Sequence, residues 1–386
     1  DLDSSDYHLQ TLLSRSDWEG TMPQAPTEED RTIDADFLAA LKSMEHNNPN
    51  ADSYYDEEIP VFGNTSSTLT LQDLINYDAG GNTVRDERGA FVSYEDERWN
   101  ELISRLTVSE LVNMCNMGAF KSNELKTIGK PLTNDTDGPT GFTNFMDQSG
   151  TYWDTCYYCA EVVMGATWNQ ELMEELGTMV GSEGLVGADG KGNNLPYSGW
   201  YAPAVNIHRS PFGGRNFEYF SEDGILNGKM AAAEIRGCAS QGVYCFVKHF
   251  ALNEQETHRS SNGSSTWVTE QAMREIYLKP FEIAVKEGGT TAIMSSFNRI
   301  GTRWTGGDYR LCTEILRDEW GFRGMVITDF NTTSYMNLKQ MAYAGGDLNL
   351  GNDMTLPDVI QPNWCNSEDT ADLVVLRNNV KNILYT

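Results

Sequence analysis

The stretch Gly321-Phe322-Arg323-Gly324-Met325-Val326-Ile327-Thr328-Asp329-Phe330 carries a carboxylate, Asp329, just past a short apolar run. Met325-Val326-Ile327 is β-prone, too short for a helix, and preceded by two glycines that break what comes before. A buried parallel strand that delivers an acid at its C-terminal tip puts that acid where α/β barrels keep their chemistry. A second reading stands beside the first, in which Asp329 caps a helix starting near Thr332 and Thr333. Two more strand-like runs end on reactive or polar groups: 243–248 delivers Lys248 and His249, and 291–297 delivers Ser295, Ser296 and Phe297. HExxH, GxSxG and the P-loop are absent, and no GxGxxG follows a strand, so no cofactor is expected. Cys156 and Cys159 form a CxxC, but no second CxxC and no nearby His pair completes a zinc site, and no metal is expected.

These tips need a scaffold, and from about residue 96 the chain alternates helix and strand patterns. Helical periodicity covers 96–118, with Thr107 and Glu110 spaced as a capping box before its second run. Asp137-Gly138-Pro139 reads as a loop. Helices are expected at 169–187, 224–241, 269–288, 308–320, 333–344 and 370–385, and strands at 200–207, 243–248, 291–297, 325–329 and 346–350. Strands alternating with helices of this length call for a parallel sheet. Polar groups recurring at strand ends favour a closed α/β barrel, a (β/α)8 TIM-like one, over an open sheet. Residues 1–95 read differently. Acidic clusters alternate with short helical stretches at 34–45 and 71–77 and a Gly80-Gly81-Asn82 turn. Tyr7, Trp18, Tyr54, Tyr55 and Phe62 favour an acidic extended arm packing on a body formed by 96–386; a disordered linker is the other reading.

Lys+Arg of 28 against Asp+Glu of 56 gives a net charge of −28. Such a surface repels nucleic acid and anionic membrane and suits neutral ligands such as sugars; the bland reading is that it confers solubility alone. No run of 18 apolar residues predicts a membrane span. Asp1-Leu2-Asp3-Ser4-Ser5-Asp6 lacks the basic and apolar regions of a signal peptide and does not begin with Met, so it reads as a cut or processed end. Together with seven loosely spaced cysteines, this favours a cytoplasmic over a secreted location.

The segment GFRGMVITDF resembles the nucleophile segment of family 3 glycoside hydrolases, a group of β-glucosidases, β-xylosidases and relatives. Asp137-Gly138-Pro139, NIHRSPFGGRNFEYFSED (206–223), KHFALNEQETHR (248–259), MSSFNRIG (294–301) and AGGDLNL (344–350) match that family in order, so the resemblance covers about 95–386. It implies a retaining exo-β-glycosidase, best read as a β-glucosidase, with a β-xylosidase or a catalytically incomplete sugar-binding module as alternatives. Asp329 matches the nucleophile. Asp137, Arg215, Lys248 and His249 match hydroxyl-binding residues, and Arg259 a further basic residue of the pocket, with Phe297 and the aromatic Phe330 beside them. Arg209, Glu218 and Asp223 lie in matched motifs and read as loop scaffolding. Trp153, Trp200, Trp267, Trp304 and Trp364 could line a cleft or fill the core.

The chain also departs from the family. Phe297 stands where members often have a Tyr whose hydroxyl touches the nucleophile, and Phe142 and Thr143 stand where many carry an Arg. Retention needs a second carboxyl about 5–5.5 Å from the first. In two-domain members that group is a Glu on an α/β sandwich domain. Of Glu254 and Glu256, the candidates near the site, the resemblance gives Glu256 a structural role toward Arg259. The piece at 12–23 resembles a segment that follows the sandwich domain in members of reversed domain order. The expected partner is therefore a sandwich domain that is not in this chain.

Overall fold

A computed structural model describes residues 27–28, 32–76, 92–142, 155–186, 197–259, 263–332, 335–351 and 364–386. The 12–23 piece, the Gly80-Gly81-Asn82 turn, Thr143 and Trp153 lie outside the described residues.

The main sheet has six strands: β1 (Lys121–Ser122), β2 (Thr133–Asp137), β3 (Gly199–Tyr201), β4 (Tyr244–Phe250), β6 (Ala292–Ser295) and β9 (Met325–Ile327). A small ribbon is formed by β5 (Ser265–Thr266), β7 (Arg299–Ile300) and β8 (Arg303–Trp304). The main sheet runs β1-β2-β3-β4-β6-β9, antiparallel only between β1 and β2. Both faces are apolar, as a sheet covered on both sides requires. Phe246, Met294 and Ile327 join one buried cluster, while Val247, Ile293 and Val326 join the other, the one that includes the helix Gly224–Ser240.

The sheet curls until its ends meet. Ile327 bridges Leu348, Gly118 N donates to Asn349 O at 2.9 Å, and Asp135 N donates to Phe120 O at 2.9 Å. The result is a TIM-like barrel. Among the described residues seven backbone segments make its ring, and 347–351 and 115–120 close it without regular ladders. The strand expected at 346–350 is therefore present as a single bridge and a few hydrogen bonds.

Other elements differ from expectation for local reasons. The strand expected over 200–207 stops at Tyr201, because Pro203 has no N–H for a ladder. The two helical runs read over 96–118 form Arg98–Ser104 and Val108–Asn116, with the expected cap at Thr107, whose side chain accepts from Glu110 N while Glu110 Oε2 accepts from Thr107 N. The helix expected over 269–288 is interrupted by a wide turn at Met273–Tyr277 and restarts at Lys279–Lys286, with Pro280 in its first turn. Helices Gln170–Val186 and Gly224–Ser240 cross at their glycines: a Cβ on Gly177 would stand 2.1 Å from Glu234 O, and one on Gly237 2.1 Å from Glu174 O.

Residues 43–57 lie across the outside of the barrel. His46 stacks on Tyr343 with ring centroids 4.2 Å apart. Asn47 donates to Asp308 Oδ1 at 2.8 Å and accepts from Tyr309 N at 2.9 Å, and Gln340 Nε2 donates to the carbonyls of Ser43 and Glu45. Farther along, Arg377 of the C-terminal helix Thr370–Tyr385 pairs with Glu57 at 2.9 Å.

Candidate active site

The C-terminal ends of the strands converge on one cavity of about 460 Å³, within the usual range for small-ligand sites. Asp137 is the last residue of β2 rather than a loop residue. Its Oδ1 accepts from Gly138 N at 2.8 Å, and Trp200 Nε1 donates to Gly138 O, which fixes the turn behind the carboxylate. Lys248 and His249 are consecutive, yet both line the cavity. In a regular strand they would point to opposite sheet faces. Here the pairing of β4 with β6 shifts register between Val247 and Phe250, which releases that alternation.

Asp329 follows β9 by two residues and is 8% exposed. Its Oδ1 accepts from Phe330 N at 2.7 Å. It caps no helix: the next described helix, Leu338–Ala344, is capped by Asn337. Asp329 Oδ2 faces Arg259 Nη1 at 3.5 Å and His249 Nε2 at 3.8 Å and makes no hydrogen bond. Burial raises the Asp329 carboxyl above the ordinary range, and the Arg259 and Arg215 cations offset only part of that.

The charged wall is a lattice. Lys248 Nζ lies 2.9 Å from Asp137 Oδ1 and 3.0 Å from Glu218 Oε1. Arg215 Nε donates to Glu218 Oε2 at 2.7 Å, and Arg215 Nη1 lies 3.1 Å from His249 Nε2. Guanidinium only donates, so His249 Nε2 accepts and the imidazole is neutral. Burial, together with Arg215, Lys248 and Arg259, holds that imidazole well below its usual pKa. Burial works against the charged form of Glu218, but Lys248 and Arg215 outweigh it and keep the carboxylate below its ordinary range.

Arg259 Nε pairs with Glu256 Oε2 at 2.7 Å, and its guanidinium carbon sits 4.6 Å from the Phe297 ring centre. Tyr335 Oη lies 2.8 Å from Phe297 O and 3.3 Å from Arg259 O, tying the two loops together. Phe120, Phe217, Phe297, Phe330, Met294 and Leu350 supply the apolar walls.

All eight residues singled out for chemistry or binding, Asp137, Arg215, Lys248, His249, Arg259, Phe297, Asp329 and Phe330, line this cavity. Glu218 was misread as scaffolding; it lines the cavity too and holds both Lys248 and Arg215. Its spacing of three from Arg215 was the available signal. Asp223 does serve as scaffolding, accepting from Ile225 N and Leu226 N at the start of its helix. Trp200 and Trp304 are buried in the core, and no described tryptophan lines the cavity. The walls at Phe120 and Phe217 were missed because they come from segments that carry no periodic pattern, and Leu350 because its strand was read without a site role.

Residues 102–371 match the glycosyl hydrolase family 3 N terminal domain, and the chain belongs to that family. It is 39% identical over 232 residues to a beta-glucosidase of Rhizobium radiobacter, covering 60% of this chain and 27% of that protein. It is 38% identical over 251 residues to beta-glucosidase A of Butyrivibrio fibrisolvens, covering 65% and 28%. The structure of beta-glucosidase 3B from Thermotoga neapolitana in complex with alpha-D-glucose superposes with a TM-score of 0.61 at 32% identity, covering 75% of this chain and 42% of that one. A beta-glucosidase from Paenibacillus barengoltzii superposes at 0.65 with 28% identity, covering 87% and 36%. The chain thus spans less than half the length of each of these relatives.

Proposed function

We propose that this chain is the nucleophile-bearing barrel of a retaining β-glucosidase. The observation that carries the reading is Asp329 Oδ2, a buried carboxylate oxygen free of hydrogen bonds in a cavity lined by hydroxyl-binding groups. Asp329 attacks the anomeric carbon from below the ring and forms a glycosyl-enzyme. Arg259 stabilises its negative charge across 3.5 Å without occupying the attacking lone pair. Asp137, Lys248, His249 and Arg215 bind the ring hydroxyls, and the aromatic walls cover the apolar C–H face of the sugar. The names of the relatives support a glucoside over a xyloside as the terminal unit.

The general acid comes from elsewhere in the protein. Asp137 and Glu218 are both engaged by Lys248, Glu256 is engaged by Arg259, and neither Glu254 nor Glu256 lines the cavity. A second domain in contact with the open mouth of the barrel supplies a Glu. The greater length of the relatives supports this arrangement.

Treatment with a 2-deoxy-2-fluoro β-glucoside, followed by peptide mass analysis, tests the reading. Label on Asp329 is the expected result, and label on another carboxylate overturns it. Loss of general acid assistance costs about 10²–10⁴-fold, most for poor leaving groups. The isolated chain should therefore cleave an activated aryl glucoside slowly and cellobiose barely, and cellobiose cleavage at ordinary rates would sink the two-domain reading.

A further inference from the structure

The register shift that turns Lys248 and His249 into the cavity has a second effect. It takes the amide and carbonyl of His249 out of the ladder with β6. Both groups are buried with the residue, which is 2% exposed, and buried backbone groups are almost always paired. One side chain takes both. Asn206, itself fully buried, accepts from His249 N through Oδ1 at 2.8 Å and donates from Nδ2 to His249 O at 3.2 Å. The carboxamide thus stands in for a neighbouring strand residue, which exchanges the same pair of bonds in a sheet.

The orientation of that carboxamide is itself held. Nδ2 also donates to Glu254 Oε1 at 3.3 Å, an acceptor that fixes which end of the amide is nitrogen. Asn227, on the helix Gly224–Ser240, donates to Asn206 O at 2.9 Å and to Val205 O at 3.1 Å, which anchors the backbone beneath. Building on the β-glucosidase reading, we propose that Asn206 is a positioning residue, with Glu254 as its orienting partner. It sets the backbone at His249 so that the imidazole meets Arg215 and the neighbouring ammonium of Lys248 meets Asp137 and Glu218. Asp lacks the donor, and Leu lacks both groups.

The test uses the full protein that contains this chain. Asn206→Asp keeps the acceptor for His249 N, loses both donated bonds and sets a second carboxylate against Glu254. It should lower kcat/KM for an activated aryl glucoside by about 10²-fold, the cost of a misplaced binding group, and weaken glucose binding in calorimetry. The double variant Asn206→Asp with Glu254→Gln restores a donor and an acceptor between the two side chains. It should recover roughly tenfold or more of the lost kcat/KM, about 1.4 kcal/mol. Nitrogen NMR of the labelled His249 imidazole reads its placement without substrate and should shift in the single variant and return toward the parent in the double. Unchanged kinetics and an unchanged His249 spectrum in Asn206→Asp would overturn the proposal. So would a fall in melting temperature with no change in that spectrum. A parent protein that neither binds glucose nor cleaves the glucoside would overturn the β-glucosidase reading instead, and the His249 spectra would still decide the role of Asn206.

Discussion

Asp329 Oδ2 and Arg259 Nη1 face each other across 3.5 Å, both buried, and neither makes a hydrogen bond. A tight bidentate pair would hold the carboxylate in its ground state and occupy its lone pairs. The looser pair leaves Oδ2 available to react while still compensating its charge.

Asp329→Asn should abolish hydrolysis and raise the melting temperature at neutral pH. Burial lifts the carboxyl above its unfolded value, so the native state holds more protons than the unfolded chain between the two values. Stability is therefore lost as pH rises through that window, and the variant, which carries no charge there, escapes the loss. Thermal melts across pH should show the gap closing as pH falls into the ordinary carboxylate range. The same shift places the acid limb of kcat/KM in the parent protein above that range.

Arg259→Ala should move this acid limb to higher pH, because Arg259 is the foremost of the cations opposing the effect of burial on Asp329. Glu256→Gln should have a smaller effect. Glu256 pairs with Arg259 Nε at 2.7 Å and so orients the guanidinium. Rates on cellobiose and on an aryl glucoside decide the matter in the full protein. Similar modest losses on both fit an orienting role, and a loss confined to cellobiose would make Glu256 the general acid.

Lys248→Ala should damage both activity and stability. Losing a charge-assisted hydrogen bond to substrate costs about 1.5–3 kcal/mol in kcat/KM. Sequence motifs alone present Lys248 as a ligand for sugar, but it also neutralises Glu218, which is 3% exposed. Arg215 still pairs with Glu218 when Lys248 is removed, so the loss should fall below the roughly 3–5 kcal/mol of a buried charge left with no partner. Denaturant unfolding should show that loss, and an unchanged midpoint would mean that Arg215 alone compensates Glu218.

Gly237→Ala should destabilise the barrel despite a helix propensity gain of about 1 kcal/mol. The new Cβ would lie 2.1 Å from Glu174 O and 2.7 Å from Thr178 N, backbone atoms that cannot rotate away. The two helices must separate, and overpacking of this kind costs about 1–3 kcal/mol or more. A urea midpoint at or above that of the parent would contradict the close crossing.

What was legible in the sequence follows from what local chemistry encodes. Asp329 could be placed at a strand tip because Gly324 and three apolar residues punctuate the chain there. Thr107 announced its helix through capping geometry that spans only three residues. Glu218 was legible only through its spacing of three from Arg215, while its tie to Lys248, thirty residues downstream, carries no local signal. The closure of the barrel by 347–351 against 115–119 was equally hidden. It rests on backbone hydrogen bonds between segments more than 200 residues apart, which no side-chain periodicity reports.

One ammonium group, that of Lys248, serves two carboxylates, Asp137 from the end of β2 and Glu218 from the short turn Asn216–Glu218 in the connection after β3. Positions 137, 215, 218 and 248 are therefore energetically coupled, and substitution at one changes the fitness of every choice at the other three. Across a lineage they should change in concert or stay fixed together. Wall positions such as Phe217 and Leu350 take no part in that lattice and can drift singly. Substitutions that reshape the cavity one at a time should therefore gather in its apolar half, with the ionic half left unchanged.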